Sequence, residues 1–397
     1  MNIIKINNLN IFKFDLPLKK GFVLKDTLID SRKGIFIEIE TDQGLKYYGE
    51  SSPLMYFHKE KFSDCLKQIK EIRKIMTENL DFFDIRYLHL DKRYLMDSFE
   101  DFFTINFLNK INSYLESGIK KDMLPSVRYC FEMAYFSIFI RNFDFIGQFK
   151  ISADSFIPLC RLATDVSVTD LGILEEEIRS RKYNTIKIKI GRHETDSEIS
   201  AIMKIIDIIE RNNRKDVAIR LDSNMALSKN EAIRFLKNID KTHIDFIEDP
   251  VRDTSLYQEL FEKTGVGVAA DETVKDFINF NKLSFKKNTG KFLKAIIIKP
   301  QAIGGFIDSY KLIKMAENLK VKTVVSNIFE TSLSISAISI FIYLINKTEI
   351  AAGLDTADSF QKDPGVIKIK SDVAKISIHD AYKNLFKADY SVLQKVF

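Results

Sequence analysis

Two lysines, Lys187 and Lys189, alternate with isoleucines in the run NTIKIKIG, and a third, Lys299, closes the run KAIIIKP. Side chains alternate faces along a strand, so Lys187 and Lys189 share one face while Ile186, Ile188 and Ile190 share the other. A solvated lysine face on a half-buried strand is the bland explanation. IKIK recurs at residues 367–370, so the tetrapeptide alone decides nothing. What sets the first copy apart is its surroundings. Downstream, the runs VAIRLDSN, IDFIEDP and GVGVAADE end on Asp222, Glu248 and Asp271, and Lys299 follows. Successive residues of that set lie 26, 23 and 28 positions apart, each about one strand-and-helix unit.

A lone Asp or Glu at a strand end is more often a helix cap or a loop ligand for backbone amides. Three of them in order, at unit spacing, converge on one point. Packed together they would repel and raise one another's pKa values. A hard divalent cation with oxygen ligands resolves that repulsion, which predicts Mg²⁺, with Mn²⁺ as a substitute. Lysines flanking such a cation from two sides suit removal of a proton from a carbon beside a carboxylate. The dianion formed needs concentrated positive charge, and a lysine base needs its pKa drawn down by burial and a nearby cation. His58, His89, His193, His243 and His379 are scattered, and RHETD lacks the second histidine of a zinc motif, so histidine chemistry is the weaker reading.

These residues must be positioned by a repeating scaffold. From about residue 150, eight short apolar runs alternate with helical stretches: FIPLCRLA, TIKIKIG, VAIRLDSN, IDFIEDP, GVGVAADE, KAIIIKP, KTVVSNIFE and EIAAGLD. Eight such units predict an α/β fold, a closed TIM (β/α) barrel with reactive groups at the C-terminal strand ends. Residues 1–50 read as strands, with TDQG as a hairpin turn and residues 17–34 as a polar loop. Residues 59–149 turn helical, and the Phe-rich stretch DFFDIRYLHLDKRYLMDSFEDFF reads as packing rather than as an aromatic binding box. The expected organisation is a capping domain over 1–150, strands then helices, and a barrel over 151–361. A segment over 362–397 returns to complete the α+β cap.

At 397 residues the chain can bury a large core, and 45% hydrophobic with 29% charged residues is ordinary for a globular protein. A net charge of +5 gives little reason to invoke nucleic acid or a membrane surface. Cys65, Cys130 and Cys160 match no zinc spacing and are expected as reduced, buried thiols. MNIIKINNLN has no apolar h-region, and residues 335–345 are too few to span a bilayer, so a cytoplasmic enzyme is expected.

At this point the residues resemble the enolase superfamily and, with lysines on both strand two and strand six, its muconate-lactonising subgroup. Within that subgroup the o-succinylbenzoate synthase family is the best match. GESSPLMYF at 49–57, RLDSN at 220–224, FIEDP at 246–250, ADE at 270–272 and IKP at 298–300 carry the resemblance, and SNIFETSLS at 326–334 with GLDT at 353–356 favours the synthases. It implies a small-molecule carboxylate substrate and a dehydration that aromatises a cyclohexadiene ring. It implies Lys189 as the base, Lys299 stabilising charge across the ring and Lys187 assisting. It further implies a metal held by Asp222, Glu248 and Asp271, a pocket lined by Asn224, Ser326 and Gly353, and closure by residues 17–34 and 49–57. A racemase of N-acylamino acids or a dipeptide epimerase using the same two lysines is the alternative. The bulky aromatic that the synthase family often has shortly after D-x-N is absent, since Met225, Ala226 and Leu227 follow Asn224. The dipeptide epimerases' Asp-x-Asp after strand eight is not cleanly reproduced by GLDTADSF.

Overall fold

The computed structural model of the protein describes residues 3–24, 27–86, 95–115, 123–142, 144–163, 168–279, 284–285, 289–365 and 374–396. The N-terminal sheet is built on one long hairpin. Ile6–Leu24 pairs antiparallel with Thr27–Thr41, which pairs in turn with Lys46–Ser51 across a tight turn closed by Gly44 N–H on the Thr41 carbonyl. Residues 17–34 are therefore not the loop expected. Pro17 and Gly21 punctuate a register shift, and pairing resumes from Phe22↔Ile29 to Leu24↔Thr27, so the turn residues mark a bulge in a continuous ribbon. At the other end of the chain, Gln394–Lys395 adds a fourth strand beside Phe12 and Lys13. Lys375–Ser377 instead pairs with Phe156–Pro158, and the second IKIK lies outside the described residues.

The helix Pro125–Asn142 joins this sheet to the barrel and is buried around nearly its whole circumference. Gly49, in the strand Lys46–Ser51, lets it come close: a Cβ there would lie 1.9 Å from the Cys130 carbonyl oxygen. Phe99, Phe103 and Phe107 interlock with Tyr135 and Phe139 of this helix, with Phe103 and Phe107 centroids 5.1 Å apart, so the described part of the Phe-rich stretch is packing. Cys65, Cys130 and Cys160 are buried free thiols. Among the described residues no helix is long and apolar enough to cross a membrane. The apolar stretch near residue 340 belongs to the buried helix Ser332–Leu344.

Glu132 sits in the middle of the Pro125–Asn142 helix with no exposed surface. It accepts from Arg128 Nε (2.9 Å) and from the Ile307 amide (3.1 Å). Burial outweighs Arg128 and pushes its carboxyl up to about 7. Folding therefore keeps a proton that the unfolded chain gives up near its ordinary pKa of 4.5, and the stability this supplies is lost as pH rises through about 7. Between pH 5 and 8 the expected loss from this one group is about 2 to 3 kcal/mol. Urea midpoints at the two pH values check it: Glu132→Gln should show a smaller drop, with Arg128 still held by Asp308 at 3.2 Å.

Seven parallel strands follow in sequence order around the barrel: Arg161–Ala163, Thr185–Lys189, Ala218–Asp222, Ile244–Glu248, Val268–Ala270, Leu293–Ile298 and Lys322–Val325. The eighth run, EIAAGLD, contributes only two bridge residues. Ala352 pairs with Leu159 and Gly353 with Ser326, and these bridges join the last strand to the first. Between strands five and six the chain makes the short helix Val274–Phe277 and the two-residue strands Ile278–Asn279 and Ser284–Phe285. Alternation turns Lys187 and Lys189, Asp222, Glu248, Asp271, Lys299 and Ser326 inward. Beneath them Phe246, Ala269, Ala295, Ile297 and Val324 fill the barrel interior as one apolar cluster. The residues at the strand ends form the C-terminal layer, and below it the buried Arg220 guanidinium lies 5.3 Å over the Phe246 ring.

Candidate active site

Two hydrogen-bonded groups form the mouth. In the first, Lys187 Nζ lies 2.7 Å from Asp222 Oδ2 and 2.5 Å from Glu248 Oε2, while Lys189 Nζ lies 2.6 Å from Asp222 Oδ2 and 2.5 Å from Asn224 Oδ1. In the second, Lys299 Nζ lies 2.5 Å from Asp271 Oδ2 and 4.1 Å from the centre of the Phe57 ring. Asn224 and Met225 have φ of 46° and 62°. This left-handed turn, tolerated by Asn, brings the Asn224 amide onto Asp222 Oδ1 at 3.0 Å and its side chain onto Lys189.

Burial and neighbouring charge set the direction in which each group's pKa moves. Burial would raise Asp222, but two ammonium groups overcome it and hold that carboxyl well below its ordinary range. Glu248 shares only Lys187 and also faces Asp222 and Asp271, so burial wins and it is pushed up to about 7. Burial opposes the charge on Lys187 and Lys299 too, yet the surrounding carboxylates raise both, Lys187 well above its ordinary value. The drop expected for a basic lysine is not seen at either. Carboxylates facing the ammonium groups are the cause.

Asp249, next to Glu248, orients the turn that carries Asp271. Its carboxyl accepts from the Asp271 amide (3.3 Å), the Glu272 amide (2.9 Å), Thr273 Oγ1 (2.5 Å) and Tyr257 OH (3.2 Å). Burial and the neighbouring acids raise it well above its ordinary value. Glu272 Oε2 is buried with no hydrogen-bond partner among the described residues. Asp249 and Glu272 fall within FIEDP and ADE, but each stands one residue past the unit-spaced acid, so spacing alone gives neither a role.

Three lysines face Asp222, Glu248, Asp271 and Glu272, so the mouth holds no surplus positive charge. Hard oxygen donors, one of them unpartnered, suit a divalent cation. Among the described residues no three such side chains are gathered as a ready metal cluster: Lys187 stands between Asp222 and Glu248, and Asp271 is turned to Lys299.

Ser326 and Gly353 lie together at the closing seam. Ser326 Oγ donates to the Gly353 carbonyl at 3.0 Å, and no described hydrogen bond joins the pair to either lysine group. A Cβ on residue 353 would stand 2.4 Å from Ser326 Oγ. Gly353→Ala is thus expected to cost about 1–3 kcal/mol in denaturant midpoint, and adding Ser326→Gly should recover most of it. A cavity of about 1020 Å³ opens beside Lys299, Asp271 and Glu272. Phe57, Ile72 and Ile303 line it on the side where strands five and six lack a long intervening helix.

A parallel ring with acids at the ends of strands three, four and five, lysines on strands two and six, and an N-terminal sheet as cap defines a known class. The chain belongs to the enolase superfamily. A family model described as "Enolase C-terminal domain-like" matches residues 173–368, and one described as "MenC, N-terminal domain" matches residues 6–83. Within the superfamily the chain is similar to o-succinylbenzoate synthases. That of Aliivibrio salmonicida is 25% identical over 354 residues, covering 88% of this chain and 90% of that protein. Among solved structures, MenC from Desulfotalea psychrophila superposes with a TM-score of 0.68 at 19% identity, covering 94% of this chain and 99% of that one. A dipeptide epimerase from Enterococcus faecalis, complexed with Mg and the dipeptide L-Leu-L-Tyr, superposes with a TM-score of 0.71 at 18% identity, covering 98% and 99%. At these identities the structural likeness establishes the fold alone.

Proposed function

We propose that the protein is a divalent-cation-dependent lyase. It removes the proton α to a carboxylate and expels water, converting 2-succinyl-6-hydroxy-2,4-cyclohexadiene-1-carboxylate to o-succinylbenzoate in menaquinone biosynthesis. In this reading residues 1–150 and 362–397 form the cap, residues 151–361 form the catalytic barrel, and the enzyme works in the cytoplasm. The observation that carries it is the pair of ammonium groups, Lys189 and Lys299, approaching one carboxylate-lined mouth from strands two and six. Mg²⁺ or Mn²⁺ held by Asp222, Glu248 and Asp271 would supply Lewis acidity to the substrate carboxylate.

Lys189, as the free amine, takes the α-proton. The electron pair moves into the carboxylate, then returns to expel the hydroxyl, which leaves as water with the proton from Lys189. Lys299 faces the ring from the opposite strand and offsets the developing negative charge, and Lys187 does so from beside the carboxylate. Phe57, standing over Lys299, excludes water from that side. Asn224 accepts from Lys189 and fixes the direction of its amine. Ser326 and Gly353 border the substrate at the seam.

Epimerisation is disfavoured by the residue after the seam. Asp355 is half-buried and already accepts from Tyr183 OH at 3.1 Å, which leaves it poorly suited to holding the ammonium of a dipeptide. The test is loss of the diene chromophore and rise of the aromatic product, followed by ultraviolet absorbance with Mg²⁺. Silence there, together with α-proton exchange into D₂O on N-succinylamino acids, would overturn the lyase reading in favour of the racemase.

A further inference from the structure

Arg32 lies on the hairpin strand Thr27–Thr41, yet only 3% of its surface is exposed and every bond it makes is long-range. Its Nη2 donates to the Ser52 carbonyl (2.5 Å) and the Ile328 carbonyl (3.4 Å), and its Nε donates to the Phe329 carbonyl (3.3 Å). Ser52 is the root of the loop whose tip, Phe57, covers Lys299. Ile328 and Phe329 belong to the loop that follows Ser326. One guanidinium thus ties the hairpin, the Phe57 loop and the strand-seven loop together.

Two buried carboxyls complete the knot. Glu50 accepts from Ser52 Oγ (2.6 Å) and from Thr331 Oγ1 (2.6 Å), and Glu330 accepts from the Ile328 amide. Gln301, two residues after Lys299, accepts from the Ser52 amide (2.8 Å) and donates to Glu330 (3.4 Å). Phe329 has φ of 55°, a left-handed conformation unfavourable for a bulky side chain. Such a conformation persists only when surroundings over-determine it. Here Arg32 holds its carbonyl, and Phe22 from the hairpin stacks on its ring at 4.2 Å.

We propose that Arg32 is a positioning residue of this active site, locking the Phe57 loop and the loop after Ser326 into the arrangement that receives substrate. The proposal rests on the lyase reading for its kinetic readout but not for its structural one. Arg32 touches neither lysine nor the acids at the mouth, so it acts on substrate capture rather than on the proton transfer. The planar fork matters because Nη2 alone reaches the Ser52 and Ile328 carbonyls while Nε, fixed beside it, takes the Phe329 carbonyl, and an ammonium offers no second nitrogen for that third contact.

In Arg32→Met, KM for the diene carboxylate is expected to rise about 10-fold or more while kcat stays within about 3-fold. Arg32→Lys should resemble Arg32→Met, and added methylguanidinium should restore much of KM in Arg32→Met but not in wild type. Hydrogen exchange at the amides of residues 52–58 and 326–331 should quicken together in both variants. Should Arg32→Met fail to fold, Gln301→Met, which removes the strut to Ser52, should show the same joint quickening. A KM unchanged in Arg32→Met, a loss confined to kcat, or exchange that quickens in one loop only would overturn the proposal. If the wild-type chain turns over no diene carboxylate, the lyase reading fails on its own, and the exchange pattern still decides the role of Arg32.

Discussion

Lys189→Ala is expected to lower kcat/KM for the diene carboxylate by about 10⁴-fold, the upper end of what a positioned acid–base group contributes. The size follows from the double duty of this amine, which removes the α-proton and returns it to the departing hydroxyl. No neighbour can substitute. Lys187 points at Asp222 and Glu248, and Lys299 approaches from the far strand on Asp271. The fold should survive, since Asp222 keeps the Lys187 ammonium at 2.7 Å when Lys189 is removed. Lys299→Ala is the informative companion. If Lys299 acts only by charge, its loss should cost about 10²–10³-fold, the scale of one electrostatic stabiliser, and should leave α-proton exchange with solvent measurable. Racemisation needs both lysines as acid and base, so equal and complete loss of exchange in the two variants would sink the one-base elimination.

The placement of these two lysines on strands two and six is legible in the sequence because barrel periodicity makes spacing a proxy for position. Asp222, Glu248, Asp271 and Lys299 each end a run about one unit after the last, and each lies at a strand end on the inward face. Seven of the eight runs form strands for the same reason. EIAAGLD does not, because it crosses the seam with small residues, and Gly353 must pass within contact of Ser326. The hairpin over 17–34 reads as a loop in the sequence because Pro17 and Gly21 carry the same local signal whether they break a strand or bulge it. Local signals say less still about contacts between distant segments. Arg32 reaches residues 296 and 297 positions away, and Glu50 reaches Thr331 281 positions away. Nothing in DSRKG or GESSPL encodes those partners, so the residues that tie cap to barrel emerged only from the packed structure. The raised pKa values of Lys187 and Lys299 were likewise hidden, since they depend on which carboxylate each ammonium faces.

Exhaustive chelation is expected to reduce turnover by more than about 10³-fold, reversibly on adding Mg²⁺ or Mn²⁺. The reason is a charge count at the mouth. Lys187, Lys189 and Lys299 are each within 2.7 Å of a carboxylate, so their positive charge is already balanced by Asp222, Glu248 and Asp271 before any substrate arrives. Glu272, whose Oε2 is buried without a hydrogen-bond partner among the described residues, adds a further acid. A substrate carboxylate gaining a second negative charge would find no surplus positive charge to meet it. It would instead be repelled in a site where burial magnifies every Coulomb term. Asp222→Asn should reproduce the effect of chelation, because this residue both borders the cation site and holds two ammonium groups. Calorimetric titration with Mn²⁺ separates the two roles: the variant should lose Mn²⁺ binding as well as turnover. Activity that persists after chelation, or Asn at position 222 binding Mn²⁺ as tightly as the wild type, would mean that the lysines alone carry the charge and that these acids serve only to orient them.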